Sequence, residues 1–168
     1  MTELMHHTGT VDTFVHTTDL TNINTIYSRH TNATDFIDLY ISPDGSVTFV
    51  LLDTIELTTP TSTITESAWN YLSITWEWDG TRTNFSLQVD DDAAVTLSGN
   101  ADIVVEDSKS NLAYLAIAYD IENAVQTVNT NKKFIGFISE FNISNFVVDR
   151  NIRFSTSCGS YGGCGICP

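Results

Sequence analysis

The stretch WNYLSITWEWDGTRTNFSLQVDD, residues 69–91, decides the fold. Leu72, Ile74, Trp76 and Trp78 alternate with Tyr71, Ser73, Thr75 and Glu77, the period of two required of a strand with one buried face. Asp79 and Gly80 tolerate turn geometry, after which Phe85, Leu87 and Val89 resume the alternation against Asn84, Ser86 and Gln88. The reading is a long β-hairpin that points two tryptophans, Trp76 and Trp78, into a core and nucleates one sheet of a sandwich.

Working outward, residues 36–52 carry a second hairpin. Ile37, Leu39 and Ile41 alternate up to Ser42-Pro43-Asp44-Gly45-Ser46, where Pro presets φ and Gly takes the positive-φ position. Val47, Phe49 and Leu51 continue beyond the turn, while Val50 and Leu52 fill the alternate positions, a pattern expected of a strand covered on both faces. Val11, Phe14 and Val15 form a weak strand pattern, Ile26 and Tyr27 open another strand, and Ile55 with Leu57 and Val95 with Leu97 mark short ones. Residues 112–119 read as a single strand with small positions at Ala113, Ala116 and Ala118, and residues 120–133 as a polar loop long enough to be functional. The final strand region, 134–148, slips phase at Ser139 and Glu140, which predicts a β-bulge. No amphipathic helix is legible. The expectation is an all-β, antiparallel two-sheet sandwich of jelly-roll type.

Composition agrees. The chain of 168 residues suits one domain with a proper core, and its 24 threonines favour pleated, half-exposed surface. Twenty-one acidic against seven basic residues give a formal charge of −14, which repels nucleic acid and anionic membranes. Solubility is the plain reading of that charge; divalent-cation binding is the sharper one. No run of 18 apolar residues is present, so no membrane insertion is expected of this segment. MTELMHHTGT lacks the charged-then-apolar pattern of a signal peptide, and His6 with His7 shows no third ligand.

All three cysteines, Cys158, Cys164 and Cys167, fall in the closing SCGSYGGCGICP. Clustered in this way they read as the start of a cysteine-rich module with disulfide bonds, and hence as extracellular or cell-surface; a zinc half-site at Cys164 and Cys167 finds no following histidine. Three sequons, at Asn32, Asn84 and Asn142, agree with the secretory reading. The division expected is a sandwich domain over 1–153 and the start of the cysteine-rich tail over 154–168.

The order of motifs resembles the laminin-G-like, concanavalin A-like lectin/glucanase superfamily. It rests on TIYSR at 25–29, FIDLYISPDG at 36–45 followed by VTF at 47–49, WNYLSI at 69–74, FSLQVD at 85–90 and FIGFISEFNI at 134–143, and it covers residues 10–148. The resemblance implies a recognition or adhesion module more often than an enzyme. It also implies a further strand before Val11, for which residues 1–9 are short, so that a sheet edge is left incomplete or is completed by another chain. Calcium held between rim loops is a further implication, and the adjacent Asp90, Asp91 and Asp92 are the candidate ligands. The glucanase branch places paired acids on one strand; here only Glu77 and Asp79 come near that pattern, with no second Glu following. All four histidines lie near the N-terminus and no Gly-x-Ser-x-Gly elbow is present, so nucleophilic catalysis has no support. Tyr27, Tyr40 and Tyr119 are the aromatic candidates for a glycan platform. The partners expected are protein or glycan ligands, or copies of the chain itself in a filament or sheath. A calcium-dependent lectin and, more distantly, a glycoside hydrolase are the other readings.

Overall fold

A computed structural model describes residues 7–30, 36–99, 113–122, 125–144 and 147. Two five-stranded antiparallel sheets stack face to face. The first contains β1 (Thr8–Thr17), β6 (Trp69–Trp78), β7 (Thr83–Val89), β8 (Val95–Ser98) and β12 (Gly136–Ser144), in the order β12-β1-β6-β7-β8. The second contains β2 (Asn24–His30), β3 (Phe36–Ile41), β4 (Val47–Leu51), β5 (Ile55–Thr58) and β9 (Ala113–Leu115), in the order β5-β4-β3-β2-β9. A separate ribbon pairs β10 (Ala118–Glu122) with β11 (Val125–Asn129). The sandwich expected from residues 69–91 is the fold observed.

Alternation builds the core. Leu72, Ile74 and Trp76 from one sheet meet Ile37, Leu39 and Phe49 from the other, all at most 3% exposed. Apolar area removed from water at about 25 cal/mol per Å² makes such a layer the main stabilising term. Trp78 shares the face of Trp76 but stands at the strand end and is only half-buried, so one tryptophan rather than two lies deep in the core. Period gives a side chain its face. Its depth depends on how far the opposite sheet extends.

Other expectations shift in detail. β1 is not an edge: it pairs β12 on one side and β6 on the other, so the outer edge of this sheet is β12. Leu52 belongs to a turn rather than a strand, with Leu52 (φ 54) and Asp53 (φ 52) both in the left-handed region and Leu52 packed on the core. The strand read over 112–119 breaks at Ala116 (φ 64), and the polar stretch that follows is a hairpin ending in a 3-10 turn at Thr130–Lys132. The bulge is where the phase slip puts it: Asp12 faces Asn142 and Phe14 faces Ser139, with the extra residue accommodated at Glu140 (φ 52). Gly45 has φ 78 in the 42–46 turn. Asn32, the three cysteines and the proposed tail lie outside the described residues.

Candidate functional site

The outer face of the first sheet takes the residues that alternate with the core. On β6 these are Trp69 and Tyr71; on β1 they are Thr10, Asp12, Phe14 and His16. Around Thr10, Asp12 and Tyr71 this face is buried, whereas toward the other end of the strands it opens. There Phe137, His16 and Trp69 lie in register across β12, β1 and β6. The His16 ring meets Trp69 edge-on at 5.3 Å and Phe137 at 5.8 Å. Trp69 is 53% and Phe137 63% exposed, unusual values for side chains of this size. A second pair, Phe14 and Tyr71 at 4.9 Å, backs the row.

Backbone geometry sets this row. At Gly136 (φ 148) a Cβ would fall 2.0 Å from the His16 carbonyl oxygen, so the missing side chain lets β12 close on β1 and bring Phe137 beside His16. Beyond it the bulge keeps Ile138 and Phe141 packed on the core while Phe137 stays outside. Contacts with the flanking rings fix the His16 imidazole, whose Nδ1 is buried with no hydrogen-bond partner among the described residues.

Acidic groups flank the row. The Tyr71 amide donates to Asp90 Oδ1 and the Asn70 side-chain amide to Asp90 Oδ2, each at 2.7 Å, which ties the end of β7 to the strand start that carries Trp69. Glu66 lies just before Trp69, and its Oε1 accepts from the Leu20 amide at 2.7 Å. Asp19 accepts from the amide and hydroxyl of Thr21, and these bonds hold its carboxyl below the usual range. At the same end, Leu20, Pro43, Asp44, Ile64 and Glu66 line a shallow depression of about 570 Å³.

The other candidates fall elsewhere. Tyr27 is 5% exposed and stacks on Phe141 at 5.6 Å inside the sandwich; burial pushes its phenol up to about 12, so it offers no platform. Tyr40 is half-buried on the outer face of the second sheet, opposite Thr25 and Thr48. The side chain of Tyr119 lies outside the described residues. The Asn84 side-chain amide donates to Asp79 Oδ2 at 3.1 Å and its Oδ1 accepts from Ser98 at 2.7 Å; the Asn142 side-chain amide donates to the Glu140 carbonyl. Asp79 also accepts from the amides of Thr81 and Arg82, which lowers its pKa and closes the β6–β7 turn. Glu77 is exposed beside it, and its cross-strand neighbours are Thr8 and Asn84 rather than the second acid a glycosidase pair needs.

Ser28, His30 and Asp38 gather on the second sheet. The Ser28 hydroxyl donates to Asp38 Oδ1 at 2.6 Å, and His30 Nε2 lies 2.9 Å from Asp38 Oδ2. In this arrangement the carboxylate holds both partners, whereas a nucleophilic relay needs the histidine between serine and acid. Both oxygens of Asp90 are engaged by N–H donors, and among the described residues no three His, Cys, Asp or Glu side chains converge to hold a metal ion. Asp91 and Asp92 follow Asp90 in the turn after β7, where both are exposed.

The aromatic row escaped the sequence reading although its signal was present. The alternation that sends Leu72 and Trp76 inward sends Trp69 outward, and an exposed tryptophan on the solvent side of a strand is a mark of binding.

No protein-family model matches the chain, and no curated protein matches it. Solved structures do. The CBM40 module of the Ruminococcus gnavus IT-sialidase, bound to alpha2,3 sialyllactose, superposes with TM-score 0.68 at 18% identity, covering 89% of this chain and 82% of that one. Domains LG4-5 of the mouse laminin alpha1 chain give TM-score 0.58 at 15% identity, covering 81% and 34%. Domain 4 of AbnA, a GH43 extracellular arabinanase from Geobacillus stearothermophilus in complex with arabinotriose, gives 0.55 at 16%, covering 87% and 65%. The fold is the laminin-G-like, concanavalin A-like β-sandwich. Among the described residues no helix is long and apolar enough to cross a membrane.

Proposed function

We propose that this chain is a non-catalytic recognition module, secreted or displayed at a cell surface, that binds glycan on the Phe137–His16–Trp69 row. One observation carries the reading: two large rings, more than half exposed, are held in register about a histidine across three strands. Pyranose rings present apolar C–H faces, and a rigid aromatic offers area to them at low conformational cost. The fold neighbours bound to sialyllactose and in complex with arabinotriose support a sugar ligand for this architecture. The sequons and the cysteine tail support the secretory setting. Binding to an oligosaccharide array, read for the wild type and for W69A and F137A, tests this. Retained binding in both variants places the site elsewhere; no binding by the wild type ends the glycan reading and leaves a protein ligand.

A second reading, association with copies of itself, draws on β12, a nine-residue edge strand carrying the exposed Phe137 and Ile143. Sedimentation velocity of the wild type tests it, with a concentration-independent monomer as the result that removes it.

A further inference from the structure

We infer that the aromatic row selects uncharged sugars and rejects sialylated or sulfated ones; this rests on the row being the glycan platform. An anionic sugar needs a cation at the site, best an arginine fork that matches a carboxylate or sulfate. Arg29 is 2% exposed and shares the inner face of β2 with Tyr27. Arg82 sits in the β6–β7 turn, at the opposite end of β6 from Trp69, roughly 30 Å away at about 3.3 Å per strand residue. Lys132 and Lys133 lie in the turn before β12, and Lys133 bridges to Thr25 of the other sheet.

Acids outnumber these two lysines at the row's own end. Asp90 is bonded to the Asn70 and Tyr71 groups beside Trp69, with Asp91 and Asp92 following it. Glu66 is three residues before Trp69, and Asp19 is three after His16. The whole chain adds its charge of −14. Within a Debye length of about 8 Å at physiological ionic strength, the field over the rings is therefore negative. A neutral hexose or pentose meets apolar surface without an electrostatic penalty, and a carboxylated or sulfated one meets repulsion with no arginine fork at the row, among the described residues, to offset it. The Ruminococcus gnavus module, bound to sialyllactose, shares the fold at 18% identity, and fold does not transmit ligand charge.

Calorimetric or array titration would compare lactose, xylotriose, cellotriose and arabinotriose with 3′-sialyllactose and 6-sulfated lactose. The expected result is binding to at least one neutral sugar, at least about tenfold tighter than to any charged one, and weakened about 30-fold in W69A. D91K/D92K should narrow that gap by strengthening charged ligands while leaving neutral affinity unchanged. Equal or tighter binding of the charged sugars overturns the inference and leaves the platform standing. Binding to none of the panel removes the platform and the inference together.

Discussion

Trp69 and Trp76 stand seven residues apart on one strand and face opposite ways, so truncating each one reads a different property. Trp76 is 2% exposed and packed between the sheets; W76A leaves a cavity that neighbours fill only in part, at about 3–5 kcal/mol. Trp69 is 53% exposed, and W69A should stay within about 0.5 kcal/mol of wild-type stability, the usual range for a surface change. Its effect falls on ligand affinity, by about 30-fold if it acts as a binding anchor of about 2 kcal/mol. Urea unfolding and sugar titration on the same two variants separate the roles. Tyr27 supports a second residue-scale prediction. Burial raises its phenol from 10.0 to about 12, so the neutral form is favoured in the folded state. The contribution is whole below pH 10 and is lost as pH rises from 10 through about 12, because the unfolded chain ionises first. The Tyr27 hydroxyl has no hydrogen-bond partner among the described residues, so Y27F should cost little at pH 7, within about 1 kcal/mol, and should flatten the alkaline loss of stability. Unfolding curves at pH 8 and pH 11 that stay parallel for both proteins would refute this.

At the scale of elements, Asp90 fastens the end of β7 to the start of β6. D90A removes two acceptors from N–H donors in partly buried surroundings and should cost about 2–3 kcal/mol. D90N keeps an acceptor for the Tyr71 amide and should recover part of that loss, whereas D92A should remain within about 0.5 kcal/mol. Chemical denaturation ranks the three variants, and equal losses at Asp90 and Asp92 would defeat the assignment. Elements were legible where a single alternation governed them. The hairpin of residues 69–91, the 42–46 turn and the bulge at Glu140 follow from the order of apolar and polar residues. Elements were missed where backbone geometry cut across composition. Leu52 takes φ 54 although leucine disfavours it, with its packing on the core as the offset, and Ala116 breaks a run that reads as continuous strand. Tyr27 points inward because the register shifts between Thr25 and Tyr27, a bulge with no mark in the local pattern. The local alternation marks Trp69 as outward-facing, but the row joins three strands far apart in sequence, so no local motif pairs Trp69 with His16 and Phe137.

At the scale of the whole molecule, the charge of −14 on 18.6 kDa opposes compaction, because folding crowds like charges that the unfolded chain spreads out. Raising NaCl from about 0.01 M to about 0.15 M shortens the screening length from about 30 to about 8 Å. Relief of about 1 kcal/mol of repulsion should raise Tm by about 2–4 °C, measured by scanning calorimetry. A Tm that is flat or falls with salt would mean that favourable ion pairs outweigh the net repulsion. Sugar affinity should answer the same titration differently. An uncharged sugar on the Phe137–His16–Trp69 row brings no charge into the negative field and releases no counterion, so its Kd should hold constant while Tm rises. Residual binding of a sialylated sugar should strengthen with salt as screening blunts the repulsion. If its Kd weakened instead, an attractive charge contact would be at work, and a cation would have to stand within reach of the rings.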